Sequence, residues 1–554
     1  MIMKDRKQNR ILVVGLDGGE WNVIGPLIER GLMPNLQKLV SQGSSGDLIS
    51  SVPPITPTAW TSFLTGVNPG KHGIFSYQKK LQSENSYFAS PLNCMDIRKE
   101  CLWHILGDHG EKVCFINVPM SFPPQEVNGY MITGMMTPVN APRFTYPDSL
   151  KDELLKNGID YQIDINIAKE VNLLEDPSFI ENYLLKDECT AFFKELYKIT
   201  EQRYKAASYL MTNKPWDFFM TVFIGMDRVQ HYLWEYLESG LNKENIISRK
   251  IFEYFSYLDK LVGDIVALAG EDSTTIIMSD HGFGRYKGDL LVNRWLIGHG
   301  LMNLNKQNRK IIPLLKKVAK KIGIRKDTLK RVMDEKKVDS LRMSVQQIEW
   351  KTSKAFSVLS HGIHINLEGR ESLGCVGNDS EYEELRALIT KMLYEIKDPV
   401  TGGQVIKKVY KKEEIYNGPE VEHAPDLILL SSDVDHYGIY STRFSNDGIF
   451  YKNTWKTGDH RQNGILIMKG RGIKSNFKVN NAEITDVLPT ILYLKDLPVP
   501  DHVDGKVLKE VFMDKSDDVR FEKRSGLQSD ESYQYKEAEV ETVKDQLRQL
   551  GYID

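Results

Sequence analysis

The chain has few cysteines, and none of them forms a ligand motif. Five cysteines are spread over 554 residues, an odd number without any CxxC spacing. This pattern argues against a disulfide framework and against a thiolate zinc site. A reducing compartment fits this usage best, so the sequence predicts a cytoplasmic location.

The sequence also lacks a strong net charge and a long hydrophobic run. A formal net charge of −3 over 554 residues gives no indication of a nucleic-acid partner. The first apolar run, ILVVGL at residues 11–16, is shorter than the core of a secretion signal, and no later run has the length of a transmembrane helix. We therefore expect a soluble protein.

Short apolar runs recur along the chain, with helical patterns between several of them. The runs occupy residues 11–17, 112–119, 216–225, 273–280, 424–432 and 463–470. A continuous apolar run of this length is typical of a strand that is covered on both faces in a parallel sheet. The alternation predicts an α/β fold, with a doubly wound, mostly parallel sheet and helices on both faces.

One segment departs from this alternation. Residues 306–342 contain 14 Lys or Arg against 4 Asp or Glu. Apolar residues at helical spacing give this segment a narrow apolar face surrounded by lysines. The ordinary interpretation is a solvated helix that docks on the core. A lid over an anionic substrate and a weak contact with an anionic membrane surface are the alternatives.

These patterns divide the chain into three predicted parts. Residues 1–300 and 356–510 form a catalytic α/β core, residues 301–355 an inserted basic helical cap, and residues 511–554 a charged C-terminal tail. At the end of the tail, VKDQLRQLGYID predicts a short docking helix. Nothing in the sequence indicates an oligomeric state.

Polar residues that follow the apolar runs are the candidates for chemistry, because ligands bind beyond the carboxyl ends of the strands in doubly wound sheets. Five acidic or histidine side chains occupy such places, Asp17, Asp227, His231, Asp280 and His281, and a sixth candidate, His460, lies just before the run at 463–470. Singly, such residues are often caps or hydrogen-bonded histidines. Together they are a mixed oxygen and nitrogen ligand set. This set suits Zn²⁺, with Mn²⁺ or Fe²⁺ as alternatives, and its size implies two divalent ions.

The segment PPITPTAWTSFLTG, residues 53–66, contains three threonines near the start of a predicted helix. We expect Thr56 at the N-cap and Pro57 at the first helical position. A plain cap is the ordinary interpretation of Thr56. Two metal ions that lie close together serve phosphoryl transfer, however, and the positive end of a helix dipole favours both an alkoxide and an incoming phosphate.

The ordered set of motifs resembles the alkaline phosphatase superfamily, most closely its type I phosphodiesterase and nucleotide pyrophosphatase branch and the bacterial cytoplasmic relatives of that branch. The matching segments are GLDGG, TPTAWTSFLTGVNPGKHGI, GMDRVQHYLW, SDHGFG, TGDHRQNG and TDVLPTILYLKDLPVPDHVDGKVL. They occur in the order of the family and span nearly the whole chain. In that family the nucleophile lies nine residues before the threonine of the closing TG. Counting back from Thr65 gives Thr56, and Thr58 is the second choice.

The resemblance implies a role for each candidate. One metal ion would be held by Asp227, His231 and His460, and the other by Asp17, Asp280, His281 and the oxygen of Thr56. Attack by Thr56 on phosphorus would form a phosphothreonine intermediate, which water then hydrolyses. His72, in GKHGI, is expected to give structural support. Sulfatase chemistry is disfavoured, because sulfatases of this superfamily need Cys or Ser at the nucleophile position.

One position departs from the pattern of the family. Eukaryotic-type nucleotide pyrophosphatases carry an asparagine three residues after the nucleophile, where this chain has Ala59. The donor to the phosphate oxygen must therefore come from elsewhere. Lys287, Arg285 and Arg461 lie near motif residues and are candidates, although each is also explained as a solvated charge. No substrate-binding residue is assigned.

The sequence thus predicts a metal-dependent phosphoester hydrolase, a phosphodiesterase or pyrophosphatase that acts on a small phosphoester or a nucleotide-linked substrate. A phosphomonoesterase or phosphomutase of the same superfamily is the nearest alternative, since the basic insertion could bind the extra charge of a monoester. A metal-binding module without turnover, which docks on an acidic partner or membrane surface, is the alternative from a different class.

Overall fold

The computed structural model describes residues 10–82, 86–165, 185–305, 348–440, 448–452, 455–514, 518–524 and 533–553. The basic segment 306–342 lies outside these residues, as does most of the predicted cap 301–355. The three interpretations of the basic segment and the assignment of a helical cap therefore stay predictions. Within the described residues, every helix is too short or too polar to cross a membrane.

The strands, in chain order, are β1 (Ile11–Leu16), β2 (Ser44–Ile49), β3 (Gln78–Gln82), β4 (Tyr87–Pro91), β5 (Val113–Val118), β6 (Gly129–Thr133), β7 (Thr145–Tyr146), β8 (Phe218–Phe223), β9 (Thr274–Met278), β10 (Gly282–Arg285), β11 (Gly288–Leu291), β12 (Ala355–Phe356), β13 (Gly362–Ile365), β14 (Ile406–Lys411), β15 (Leu427–Ser431), β16 (Tyr437–Tyr440), β17 (Phe450–Tyr451), β18 (Gly458–Arg461), β19 (Asn463–Lys469), β20 (Phe477–Glu483), β21 (Val499–Pro500) and β22 (Phe521–Glu522).

The α-helices are α1 (Trp21–Glu29), α2 (Pro34–Gln42), α3 (Thr56–Thr65), α4 (Pro69–His72), α5 (Leu102–Asp108), α6 (Ser149–Lys156), α7 (Thr190–Asn213), α8 (Gly225–Asn242), α9 (Ile246–Ala269), α10 (Val292–Gly298), α11 (Ser380–Tyr394), α12 (Lys412–Ile415), α13 (Val487–Leu494) and α14 (Glu537–Gln549).

Nine strands form the main sheet, in the order β20-β2-β19-β9-β1-β8-β5-β6-β7. β1 pairs in parallel with β8 on one side and with β9 on the other. Every residue of β1, β5 and β8 is buried, as expected for central strands that are covered on both faces. Antiparallel pairs occur where β19 meets β9 and β2, and where β6 meets β7. The predicted mostly parallel α/β fold is therefore confirmed.

A second, antiparallel sheet has the order β12-β13-β15-β14. The apolar run at residues 424–432 forms its strand β15, so the expectation that this run belongs to the main sheet is wrong. A short apolar run predicts a buried strand but does not identify the sheet that buries it. The second sheet has its own hydrophobic core, to which Phe356, Ile389 and Leu429 contribute.

The predicted docking helix near the C-terminus is present as α14. Its apolar side chains Val543 and Leu547 are buried in the core of the main sheet, together with Leu550 and Tyr552 just beyond the helix. The C-terminal segment is thus packed against the domain that carries the candidate active site.

Candidate active site

Three neighbouring parallel strands end at the same edge of the main sheet, and each is followed by an aspartate. Asp17 comes directly after β1, Asp227 lies in the first turn of α8 after β8, and Asp280 follows β9. Because β1 lies between β8 and β9, the three carboxylates converge. All three side chains are buried.

The first cluster, called here the Asp227 group, consists of Asp227, His231 and His460. Asp227 and His231 lie four residues apart on α8, as the spacing predicted. His460 lies on β18, which reaches the site through its antiparallel pairing with β10. The Nε2 atoms of His231 and His460 lie 3.3 and 3.4 Å from Asp227 Oδ2 and 3.0 Å from each other. One ligand atom from each of these three residues lies within 4.8 Å of the other two, so together they could hold a metal ion.

The second cluster, called here the Asp17 group, consists of Asp17, Asp280 and His281. His281 Nε2 lies 3.2 Å from Asp280 Oδ2 and 3.8 Å from Asp17 Oδ1. Their ligand atoms also lie within 4.8 Å of one another, so these residues could hold a second metal ion. The rings of His281 and His460 stack with their centroids 3.6 Å apart, so the two groups adjoin.

The three histidines are oriented in the same way. In each ring Nδ1 lies 3.1 Å from a backbone carbonyl oxygen, that of Gly458 for His231, of Gly282 for His281 and of Pro54 for His460. A carbonyl only accepts hydrogen bonds, so Nδ1 carries the proton and Nε2 presents a lone pair to the carboxylates. The short distance between the Nε2 atoms of His231 and His460 then brings two lone pairs together, which a cation between them would stabilise.

The carboxylates lead to the same conclusion. Asp17 Oδ1, Asp227 Oδ2 and Asp280 Oδ2 are buried and have no hydrogen-bond partner among the described residues. Buried polar atoms are almost always paired, so three such oxygens in one place indicate a missing positive ligand. The donor set of carboxylate oxygen and imidazole nitrogen fits divalent ions such as Zn²⁺ or Mn²⁺.

Burial also sets the protonation of these groups. It raises the pKa of Asp17 and of Asp280 well above the usual range, and the nearby carboxylates add to the effect. Burial lowers the pKa of His231 to about 4 and that of His281 well below its usual range. The imidazoles of His231 and His281 are therefore neutral near pH 7, the form that binds metal ions, and a divalent cation would stabilise the charge of the two carboxylates.

Thr56 lies beside the Asp17 group. Its Oγ1 is 3.3 Å from His281 Nε2 and accepts a hydrogen bond of 3.3 Å from the hydroxyl of Tyr77. The predicted N-cap position is wrong by one residue, because Ile55 is the N-cap and Thr56 is the first residue of α3. As the first helical residue, Thr56 directs its hydroxyl toward His281 and Tyr77. Thr58 and Thr61 are buried on the same helix, and their hydroxyls have no partner among the described residues.

Sequence reasoning missed three side chains that contact the site. Tyr77 contacts Thr56, Arg228 donates hydrogen bonds to Asp227 and Asp164, and the hydroxyl of Tyr552 lies 2.7 Å from Asp227 Oδ1. Arg228 is the neighbour of a predicted ligand, which was the available signal. Tyr77 and Tyr552 gave no signal, because only the tertiary structure brings them to the sheet edge.

Other residues selected from the sequence have different surroundings. His72 is buried, with Nε2 3.0 Å from Ser62 Oγ, and its Nδ1 accepts a hydrogen bond from the amide of Ile74. Lys287 forms ion pairs with Asp398 and Asp435, and Arg285 forms one with Glu238. Arg461 donates hydrogen bonds to backbone carbonyls, including that of His460.

A cleft opens beside the Asp227 group. Its lining includes Ile55, Tyr77, His361, Tyr440, Arg461 and Tyr552. The aromatic rings, the guanidinium of Arg461 and the carboxylates of Asp433 and Asp459 give it a mixed apolar and charged surface. Because His460 also lines the cleft, a ligand bound there would adjoin the two groups.

Comparison with known proteins gives a family and a fold. The family described as type I phosphodiesterase / nucleotide pyrophosphatase matches residues 11–460. No curated protein matches the chain. The phosphonoacetate hydrolase of Sinorhizobium meliloti, solved with phosphonoformate, is 13% identical with a TM-score of 0.50 over 88% of this chain and 95% of that chain. Human ectonucleotide pyrophosphatase / phosphodiesterase 5 is 13% identical with a TM-score of 0.47 over 91% of this chain and 100% of that chain.

Proposed function

Because the chain belongs to the type I phosphodiesterase / nucleotide pyrophosphatase family, and is therefore a metal-dependent phosphoester hydrolase, we propose that it cleaves phosphodiester or pyrophosphate bonds with Thr56 as the nucleophile. The observation that carries this proposal is the position of Thr56 Oγ1, 3.3 Å from His281 Nε2 at the junction of the two ligand groups. The matched residues 11–460 include Thr56 and all six candidate ligands.

Each group would hold one divalent ion, with Zn²⁺ as the first choice. Asp227, His231 and His460 would hold one, and Asp17, Asp280, His281 and Thr56 Oγ1 the other. Two such ions supply positive charge that stabilises the attacking and the leaving oxygen in an in-line displacement. The neutral imidazoles of His231 and His281 and the three unpartnered carboxylate oxygens support this assignment.

The residues around Thr56 prepare its hydroxyl for attack. Tyr77 donates to Oγ1 and His281 Nε2 lies on its other side, so the hydroxyl is held in one orientation. Attack by Oγ1 on phosphorus forms the phosphothreonine bond and breaks the bond to the leaving oxygen, while the threonine proton passes to solvent and the leaving oxygen takes up a proton from solvent. Attack by water on the phosphothreonine then regenerates Thr56 and releases the phosphoryl product.

The position of Ala59 leaves the phosphate donor to other groups. Ala59 is fully buried in α3. Donors that adjoin Thr56 are the backbone N–H groups of the first turn of α3, and helix N-termini favour phosphate. Lys287 and Arg285 pair with carboxylates outside the two groups, which favours a diester over a more highly charged monoester. The phosphomonoesterase or phosphomutase reaction is the alternative.

The test compares Thr56→Ala with Thr61→Ala, a matched control that removes a buried hydroxyl from the same helix. Both variants and the parent are assayed with Zn²⁺ or Mn²⁺ on a bis-aryl phosphodiester and on an aryl phosphate. We expect kcat to fall at least ~1,000-fold in Thr56→Ala and to stay within about twofold of the parent in Thr61→Ala. The diester should be the better substrate of the parent.

The phosphothreonine is sought by acid quenching during turnover, followed by mass spectrometry of the peptide that contains residues 53–66. Equal activity of Thr56→Ala and the parent would exclude Thr56 as the nucleophile, and Thr58→Ala would then be tested. A strong preference for the aryl phosphate would favour the monoesterase. Metal binding without hydrolysis of any phosphoester would contradict the proposed reaction altogether.

A further inference from the structure

The C-terminal segment reaches Asp227 although more than 300 residues separate Asp227 from Tyr552 along the chain. The hydroxyl of Tyr232 donates to the carbonyl of Gln549 at 2.7 Å, and the hydroxyl of Tyr440 donates to the carbonyl of Gly551. Val543 and Leu547 of α14 are buried in the main core. Burial of these apolar side chains brings Tyr552 into the site, where the residue is 4% exposed.

The hydroxyl of Tyr552 takes part in a closed set of hydrogen bonds. It donates to Asp227 Oδ1 at 2.7 Å and accepts from Arg228 Nη1 at 2.8 Å. Arg228 Nη1 also donates to Asp227 Oδ1, while its Nη2 bonds Asp164 Oδ2 at 2.6 Å. One oxygen of Asp227 is therefore held by two donors, and one of these donors is itself fixed by a second carboxylate.

The other oxygen of Asp227 is left for a ligand. Oδ2 has no hydrogen-bond partner among the described residues and faces the Nε2 atoms of His231 and His460. We propose that Tyr552, supplied by the C-terminal segment, is a positioning residue that orients Asp227 so that only Oδ2 binds the metal ion. The C-terminal segment is then a part of the active site, and its catalytic importance rests on the proposed function.

The ring of Tyr552 supports the same role. It stacks on the ring of Tyr77 with centroids 4.6 Å apart and an interplanar angle of 13°. Tyr77 donates to Thr56 Oγ1, so the stacked pair links the Asp227 group to the proposed nucleophile. The ring of Tyr552 also packs nearly perpendicular to the ring of His231, with the two centroids 5.2 Å apart.

The chain offers a matched control for this tyrosine. Tyr232 is also buried and also donates one hydrogen bond, but to the backbone of the C-terminal segment and not to a ligand. Tyr552→Phe and Tyr232→Phe each remove one buried hydroxyl and keep the ring. A purely structural role predicts the same result for both variants, whereas a positioning role predicts a difference in metal binding.

The experiment titrates the full-length apoprotein with Zn²⁺ in a calorimeter. Parent and both variants are also measured in an Asp280→Asn background, which removes a ligand of the Asp17 group and leaves the Asp227 group intact. We expect Tyr552→Phe to weaken Zn²⁺ binding at the Asp227 group about 10-fold. Tyr232→Phe should bind Zn²⁺ as the parent does, although both variants lose thermal stability. In the unmodified background, Tyr552→Phe should lower kcat with little change in KM.

Unchanged Zn²⁺ binding by Tyr552→Phe would overturn the inference, and so would an equal loss in Tyr232→Phe. If Tyr552→Phe does not fold, Tyr552→Leu in the full-length chain, which also removes the hydroxyl, should show the same selective loss. Because the titration does not depend on turnover, a parent that binds Zn²⁺ but hydrolyses no phosphoester would contradict the proposed function and leave the test of Tyr552 valid.

Discussion

The two ligand groups at the sheet edge differ in how their charge is balanced. The Asp227 group has one carboxylate and two imidazoles, and Arg228 and Tyr552 hold its carboxylate. The Asp17 group has two carboxylates and one imidazole. Its carboxylates receive weaker contacts, from the indole of Trp60 to Asp17 and from the amide of Gly18 to Asp280, both at 3.3 Å.

This difference assigns different tasks to the two groups. Arg228 and Tyr552 hold the carboxylate of Asp227 in one orientation without any bound ion, so this group is preorganised. The Asp17 group concentrates buried negative charge, which is costly without a cation and raises the pKa of Asp17 and Asp280. It should therefore depend more strongly on its ion, and it is also the group that Thr56 contacts.

The largest expected effect that tests this comparison comes from Asp280→Asn. Loss of a ligand should lower activity at least ~100-fold, since even the outer partners of metal ligands contribute 10- to 100-fold. The apoprotein should nevertheless become more stable by about 1–3 kcal/mol, because the variant removes a buried charge and can donate to His281 Nε2, which lies 3.2 Å from Asp280 Oδ2. Thermal unfolding of metal-free protein and a phosphoester assay measure the two effects.

The matched variant Asp227→Asn should have the opposite effect on the stability of the apoprotein. It leaves Arg228 with one carboxylate partner fewer, so a loss of about 1–3 kcal/mol is expected.

The pH dependence of stability gives a second comparison between the parent and Asp280→Asn. The raised pKa of Asp280 means that the folded state binds its proton more tightly than the unfolded state does. That stabilisation is complete below pH ~4 and is lost as the pH rises through the folded-state pKa, so the advantage of Asp280→Asn should grow with pH.

Gly18→Ala should give an intermediate effect, because Gly18 lies between the two groups. Its φ is +68°, and an added Cβ would lie 3.0 Å from Phe283 and 3.2 Å from the Cα of Asp227. We expect a loss of about 1–3 kcal/mol in chemical denaturation and weaker binding of Zn²⁺ at both groups. Gly25→Ala is the control, since its Cβ would meet nothing within 4 Å and Ala favours the helix α1. A loss of only one Zn²⁺ site in Gly18→Ala would show that a backbone shift at Gly18 displaces the residues of one group without displacing those of the other.

The smallest effect is expected from Arg285→Ala. Arg285 lies on β10, next to the strand of His460, but its guanidinium pairs with Glu238 at the surface. Exposed pairs contribute little, so stability should change by at most ~0.5 kcal/mol and kcat by less than about twofold. A larger fall in kcat would show that a cation outside the two groups acts on the phosphate. Arg285 would then again be a candidate donor to the phosphate oxygen, as its sequence position suggested.

Local patterns predicted those parts of the site that depend on short stretches of chain. The strand run before Asp17 and the spacing of four residues between Asp227 and His231 each correspond to one element of the structure. The same reasoning misplaced residues 424–432, because strand periodicity does not contain the pairing partner. It also misplaced the N-cap of α3 by one residue, since Pro is accepted at either of the first two helical positions.

The sequence by itself determined the α/β alternation and the six polar candidates near the ends of the apolar runs, because apolar periodicity and the chemistry at strand ends are local properties. Only the tertiary structure decided how these residues combine. Pairing of β10 with β18 brings His460 to His231, and packing of α14 brings Tyr552 to Asp227. Such contacts join residues more than 200 positions apart and result from burial of apolar surface, which has no direction along the chain.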